Sequence, residues 1–478
     1  MPKNSVLYTY LLFLIVFLGI TLRVLGIFND LWLDEIWALK AAATMESILD
    51  PFTVRSLDGH ASIYTVIMHY MGPGYAGWVY RLPALTLSVL GFSVIYLILR
   101  REHGLFSLLL LTLYSFSYVF VLYGSEARGY SFILTLSLFS FWIIKEFSLK
   151  NKFFVYPLFW IVSICGFLFH YSFIQFYTAL TIWSLFIMLK GLSHRGLLRF
   201  IYFFTIPSIF IALIYLTQIR FMQHGSGPLG SYADVVINSL SMSLGGPEIS
   251  ALAPKQGALI IGLSVLIFFI LAREIFLLIR AKNEDGFFYL LIIFIVPVLF
   301  VLILQPRVLL LRYFLVSLLF SLFIFASFLR RMFEGRAKQR FLACAAVFFI
   351  FYGNLTHIIK FLNNGRGEYA EAISYIASQT DSDKITIASD HDFRNQMLID
   401  FYSAKLNVKD RVFYTEQGRQ EDSVFDWYLL HSQDSKFKPP KVIRLNESDF
   451  LLRKTFEYTA LSGWDWHIYR RASSLPLQ

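Results

Sequence analysis

The stretch VLYTYLLFLIVFLGITLRVLGIF, residues 6–28, followed at once by NDLWLDE, residues 29–35, decides the architecture. The first part is an apolar run of the length that crosses a bilayer as a helix, about 17–25 residues. It is longer than a signal-peptide core, and no small-residue cleavage pattern directly follows it. It therefore reads as a retained first span. The second part sets two carboxylates, Asp34 and Glu35, side by side at the membrane edge. Ionised groups near hydrocarbon line polar cavities and reaction sites more readily than they fill space. A solvated loop beside a span is the plainer reading of the same residues.

Composition extends the first reading to the whole chain. Of 478 residues, 57% are hydrophobic and 15% charged, where soluble domains carry about 25% charged residues. Fifty Phe and 27 Tyr suit a lipid-facing surface with aromatic interface belts. The net charge of +10 does not point to nucleic acid, because Lys and Arg cluster at one set of span ends and no basic segment carries a nucleic-acid motif. Cys165 and Cys344 both lie inside apolar runs, as small core residues rather than a disulfide or a metal site.

Ten more runs are long enough to cross: Leu82–Arg100, Leu105–Tyr123, Tyr130–Phe147, Phe153–Phe169, Tyr171–Leu189, Phe200–Ile219, Gly257–Ile279, Phe287–Leu304, Leu309–Leu329 and Phe341–Leu362. The apolar segment Ala61–Met71 is too short. If it does not cross, Lys3, Arg100-Arg101, Lys145/Lys150/Lys152, Lys190/Arg195/Arg199, Arg280/Lys282 and the Arg330–Arg340 cluster all share one side. That side is the cytoplasm by the positive-inside rule. Ala61–Met71 then lies flat on the outer interface, with Ser62, Thr65 and His69 on one stripe. Asp34–Ile48 reads as a second such helix, with Asn29 or Asp30 placed to cap its start. The expected fold is a polytopic all-α membrane bundle of about eleven spans with outer juxtamembrane helices, residues 1–362. The tail, 363–478, is charged and has short apolar runs. It reads as a small extracytoplasmic α/β domain, with a helical stripe at Tyr369, Ile373 and Ile376 and strands at Lys384–Ala388, Lys441–Leu445 and Trp466–Tyr469.

On this topology the polar groups converge on the outer side. Glu126 and Arg128, in Tyr123-Gly-Ser-Glu-Ala-Arg-Gly-Tyr130, fit either a phosphate held by the Arg and oriented by the Glu, or a local ion pair ending two helices. Asp58 and His60 fit a metal ligand, a proton carrier or an ordinary surface pair. His170-Tyr171 breaks an apolar stretch, as a ligand or as a satisfied structural pair. Arg307 and Arg312 either hold a phosphate group or snorkel to the headgroups. There is no Gly-rich phosphate loop, no zinc spacing and no nucleophile elbow, so a soluble nucleotide-sugar fold is not expected. The Asn354 and Asn446 tripeptides match glycosylation sequons.

In order and spacing these pieces resemble the bacterial GT-C glycosyltransferases of the protein O-mannosyltransferase and aminoarabinose-transferase type (glycosyltransferase family 39). The resemblance rests on Asp34-Glu35, Asp58-Gly-His60, Arg81-Leu82-Pro83, the Tyr123–Tyr130 run, His170-Tyr171 and Arg312-Tyr313. One departure is the pair Ala61-Ser62, where the family usually has Pro-Pro after the His. The resemblance implies an integral plasma-membrane enzyme that moves a sugar from a polyprenyl-phosphate donor to a glycan, lipid or protein hydroxyl on the outer face, with inversion. Asp34 matches the catalytic carboxylate, Glu35 its neighbour, and Arg128 a position facing the donor phosphate. The chemistry agrees: the lipid phosphate is already a good leaving group, so cations must hold it and a base must serve the acceptor. A carboxylate of pKa about 4 is ionised for that task. No cofactor is required, although Asp58, His60 and His170 leave room for a divalent metal. A lipid-linked-sugar flippase or transporter shares the spans and charges but favours repeated halves and mid-membrane sites. An oligosaccharide polymerase or ligase would use a long late loop, such as residues 220–256.

Overall fold

The structure is a computed structural model that describes residues 6–53, 62–102, 104–148, 150, 152–190, 194–221, 231–248, 254–420, 424–432, 437–461 and 464–472. Asp58 and His60 lie outside the described residues. Cα proximity separates two compact units: residues 1–27, 41–249 and 254–356, and residues 28–40, 250–253 and 357–478.

The first unit is helical. In chain order its helices are α1 (Val6–Gly26), then, after α2 (Leu33–Ala43), α3 (Asp50–Thr53), α4 (Ser62–Met71), α5 (Gly77–Leu99), α6 (Gly104–Phe116), α7 (Tyr118–Gly124), α8 (Tyr130–Phe147), α9 (Val155–Phe169) and α10 (Phe173–Met188). There follow α11 (His194–Thr217), α12 (Tyr232–Ser243), α13 (Pro254–Arg280), α14 (Asp285–Leu290), α15 (Val296–Leu304), α16 (Leu315–Glu334) and α17 (Ala337–Asn364). Among the described residues, eight helical stretches are long and apolar enough to cross a membrane. A ninth is α6 with α7, bent by 59°. The shorter apolar helices α9 and α10 complete the eleven runs of the sequence. A π-helical turn, Leu291–Ile295, joins α14 to α15 within one span. The segment after residue 61 is a ten-residue helix, too short to cross. The helix expected over Asp34–Ile48 ends at Ala43.

The bend at Ser117 is held by a charge. A helix that stops inside an apolar bundle leaves its last carbonyls and the next helix's first N–H groups without partners. Arg23 of α1, fully buried, supplies the donors. Its Nη2 donates to Tyr114 O (3.0 Å), its Nη1 to Ser115 O (3.3 Å) and Gly19 O (2.9 Å), and its Nε to Ser88 Oγ (2.9 Å). The guanidinium also lies 4.8 Å and 4.9 Å from the ring centroids of Tyr114 and Phe92. On the other side of the break, Tyr118 N donates to Asn354 Oδ1 (2.7 Å). Asn354 is buried, so its sequon presents no side chain to a glycosylating enzyme. Elsewhere the core is aromatic: Phe141, Phe176, Phe288 and Phe320 pack with centroids 4.7–6.2 Å apart.

The second unit contains a six-stranded mixed sheet: β1 (Ile385–Ser389), β2 (Val412–Thr415), β3 (Trp427–Ser432), β4 (Val442–Leu445), β5 (Ser448–Phe456) and β6 (Asp465–Arg471). The order is β2-β1-β3-β6-β5-β4. β1 is parallel to both β2 and β3, and the remaining pairs are antiparallel. α18 (Tyr369–Ser378) and α19 (Asp392–Lys405) meet one face at Trp466: the Tyr369 ring lies 5.1 Å away, and Trp466 Nε1 donates to Asn395 Oδ1 (3.0 Å). Tyr428 of β3, Phe450 of β5 and Tyr469 of β6 form a second core with Phe425, which precedes β3. The expected stripe Tyr369, Ile373 and Ile376 is buried.

The loop after α1 belongs to this second unit. Asn29 Nδ2 donates to Phe361 O (2.9 Å), satisfying a carbonyl near the end of α17. Asp30 Oδ2 accepts from Ala370 N (2.7 Å), capping the start of α18. Tyr402 Oη donates to Leu31 O (2.7 Å), and the Arg366 guanidinium lies 4.0 Å from the Trp32 ring centroid. Because Asn354 Oδ1 meets an amide that has no helical partner, Asn354→Leu should cost about 1–3 kcal/mol. A thermal melt of the detergent-solubilised protein should show the midpoint lowered, and an unchanged midpoint would remove Asn354 from the support of the bend.

Candidate functional site

The five residues 125–129 join α7, which ends at Gly124, to α8, and close packing leaves little choice at either end. A Cβ on Gly124 would fall 2.6 Å from Ser88 Oγ, and one on Gly129 would fall 2.1 Å from Phe169 O. Ser125 Oγ donates to Val121 O (2.7 Å) and lies 3.2 Å from Arg23 O, and Arg128 N donates to Glu126 O (2.7 Å). The turn is thus fixed to the residue that holds the bend and to the end of α9. It carries Glu126 and Arg128 at 2% and 6% exposure.

Around this turn the helical unit gathers four of the expected residues, Glu126, Arg128, His170 and Arg312. The Tyr130 ring lies 4.9 Å from Tyr123 and 5.1 Å from His170, and the Arg128 guanidinium lies 6.0 Å from the Tyr130 ring. Tyr313, next to Arg312, sits 6.3 Å from the His170 ring, its carbonyl accepting from Gln175 Nε2 (3.0 Å). His170, in the linker between α9 and α10, accepts at Nδ1 from Ser172 N (3.2 Å), with Ser172 Oγ at 2.8 Å. Burial, then the charges of Arg128 and Arg312, push its pKa down to about 3. His170 is therefore a neutral ring between two guanidiniums. Counting Arg128 and Arg312 against the Glu126 carboxylate, the cluster carries one net positive charge. A positive site with little water favours a phosphate or another anion and holds it through charge-assisted hydrogen bonds.

The other candidates stand elsewhere. Tyr171 packs on Phe167 at 5.3 Å. Arg307 is exposed. Asp34 and Glu35 lie in the second unit, in the first turn of α2. Their environments differ. Glu35 is fully buried and its Oε2 accepts from Trp32 N (3.1 Å), closing the start of its own helix. Asp34 is half-buried. Trp37 packs edge-on to Phe393 at 5.2 Å, anchoring the same turn to α19. Among the described residues no group of three or more His, Cys, Asp or Glu is placed to hold a metal. Sequence reasoning passed over Arg23, whose signal was a lone charge inside the first apolar run.

No family model and no curated protein sequence matches the chain. Among the solved structures similar to it are two of the Archaeoglobus fulgidus oligosaccharyltransferase. The complex with zinc and sulfate is 11% identical, with a TM-score of 0.49, covering 88% of this chain and 68% of that one. The apo form is 10% identical, with a TM-score of 0.48, covering 89% and 70%.

The depressed pKa of His170 has a thermodynamic signature. The unfolded ring, of pKa about 6.5, binds a proton that the folded ring refuses until about pH 3. The stabilisation is therefore complete above pH 6.5 and declines as pH falls toward 3. Between pH 6 and pH 4.5 the protein should lose on the order of 1 kcal/mol per pH unit through this group. His170→Gln should flatten that part of the slope in melts followed by circular dichroism. An identical acid slope in the variant would place His170 in a wetter environment.

Proposed function

We propose that this protein is an integral membrane glycosyltransferase that takes a sugar from a polyprenyl-phosphate donor and delivers it to a hydroxyl of a glycan, lipid or protein, with inversion. The observation that carries the reading is the cationic cluster of buried Arg128 and half-buried Arg312 beside neutral His170. A departing lipid phosphate needs fixed cations and gains most from them where water is scarce. With His170 Nδ1 occupied as an acceptor, the ring proton sits on Nε2, where it can serve as a donor.

Asp34 takes the role of base toward the acceptor hydroxyl, and Glu35 that of a positioning residue, holding the first turn of α2 through Trp32 N. Asp58 and His60 remain candidates for donor or metal binding on the strength of the resemblance alone. The reading places the cluster, α4 and the tail on the extracytoplasmic side, where positive-inside counting puts them. A flippase would need the same phosphate grip but no base, so Asp34 separates the two readings.

In a purified transfer assay with a polyprenyl-phosphate sugar, Asp34→Asn should reduce turnover at least a hundredfold, within the range of a lost general base, with insertion unchanged. Wild-type turnover in that variant would defeat the enzymatic role. Arg128→Ala should raise the apparent donor KM about tenfold or more, the scale of a lost charged hydrogen bond. An unaltered KM would remove Arg128 from donor binding. Sidedness is tested by cysteines placed at the exposed positions Ser378 and Gln339: an impermeant maleimide added outside intact cells should label the first alone.

A further inference from the structure

The tail carries a polar constellation of its own. It lies where the parallel part of the sheet changes direction. After β1 the chain runs through α19 to β2 on one side, then returns to lay β3 on the other side of β1. Connections that diverge from one strand open a crevice at the carboxyl ends of that strand and its neighbour, the place where open α/β sheets bind ligands. The residues ending β1 and β3 there are Ser389, Asp390, His391 and His431.

These side chains are held in set orientations. Asp390 accepts from His431 N at both oxygens (3.3 and 3.1 Å), and its Oδ1 lies 2.7 Å from His431 Nδ1. The His431 ring stacks on Trp464 at 3.9 Å, and the Arg394 guanidinium lies 4.4 Å from the same indole centroid. His391 caps α19, its Nδ1 accepting from Arg394 N (3.4 Å). The two imidazoles stand 5.7 Å apart and nearly perpendicular, at 87°. Asp392, Tyr414 and Ser389 form one wall: Tyr414 Oη donates to Asp392 Oδ1 (2.8 Å) and pairs with Ser389 Oγ (2.6 Å). Asp390, His391, His431 and Trp464 are each half-buried. Arg394 is 5% exposed, and its Nε makes no hydrogen bond among the described residues.

The hydrogen-bond pattern fixes what such a crevice accepts. His431 Nδ1 lies at ion-pair distance from Asp390, though it makes no hydrogen bond among the described residues. His391 uses Nδ1 to accept from a backbone amide, which puts its proton on Nε2 as a donor. Burial, then the neighbouring His431, lowers the His391 pKa, so the ring is neutral near pH 7. The crevice therefore offers a donor at His391 Nε2 and acceptor oxygens on the Asp390 carboxylate. A hydroxyl is both donor and acceptor and satisfies this arrangement. An anion would face Asp390, and a cation would face Arg394.

We propose that this crevice binds a neutral, hydroxyl-rich ligand of the saccharide class. The inference deepens the reading of the protein as a sugar-transfer enzyme, making the tail a reader of the acceptor or product glycan. It rests on that reading only for this identity, because binding is measured without transfer. The experiment uses the full chain in lipid nanodiscs on an array of defined neutral, amino-substituted and carboxylated oligosaccharides, without lipid donor. Neutral oligosaccharides should be retained, and inorganic phosphate should not displace them. His391→Asn keeps a good cap for α19 but loses the Nε2 donor, and His431→Phe keeps the stack on Trp464 but loses both ring nitrogens beside Asp390. Each should weaken retention about tenfold, the scale of one lost hydrogen bond with its partner left unmet. Retention is read with no lipid donor present, so a failure of transfer leaves this test standing. Should His431→Phe fail to fold, His391→Asn decides alone. The proposal is overturned if no oligosaccharide is held above empty nanodiscs, if carboxylated glycans are preferred or phosphate competes, or if the folded variants bind as tightly as the parent.

Discussion

One guanidinium holds the helical unit in its working shape. A span broken at Ser117 must find partners for the carbonyls before the break, and no water is at hand to provide them. Arg23 meets two of them and reaches Ser88 with its remaining arm. Ser88 Oγ in turn presses on the only space where a Cβ of residue 124 would go. The bend, the glycine and the turn that follows are therefore one packed object. A buried arginine is costly unless every donor is used. Here its use is to aim a loop, and the loop carries the residues that can grip an anion.

The electrostatics follow from that aim. Burial repels the proton of one histidine, and two nearby arginines add to it. The ring keeps its place as a neutral group, tilted between Tyr130 and Tyr313. In the second unit the paired acids of the opening loop divide their labour. Glu35 is committed to its own helix, while Asp34 stands one residue earlier with a different exposure. Adjacent identical charges thus acquire different chemistry from the turn they occupy.

Much of this was legible in the residues because a bilayer imposes a long, unmistakable period. The eleven apolar runs, the short helix after residue 61 and the grouping of Tyr123–Tyr130 with His170 and Tyr313 were readable from run length and order. The break at Ser117 was not, since neither proline nor glycine marks it and its causes, Arg23 and Asn354, are distant in sequence. Span edges also drifted. Pro83, expected at a helix start, lies inside α5. In the tail, β1, β4 and β6 were visible from their apolar alternation, whereas β3 carries a polar end and β5 reads as charged. The histidine crevice was invisible for the same reason that most ligand sites are. His391 and His431 sit on loop and strand ends whose meeting depends on the crossover of the sheet.

The bonds that anchor the loop after the first span set a schedule for making the protein. Asp30 and Ala370 are separated by 340 positions, and Leu31 and Tyr402 by 371. At synthesis rates of about 5–20 residues per second, the ribosome finishes the partner roughly 17 to 70 seconds after releasing the loop. Through that interval Asn29, Asp30 and Trp32 lack their final neighbours. Nascent chains cut short by a stalled ribosome would insert their helices yet never seat this segment, which gives the cell a ready distinction between finished and abortive products.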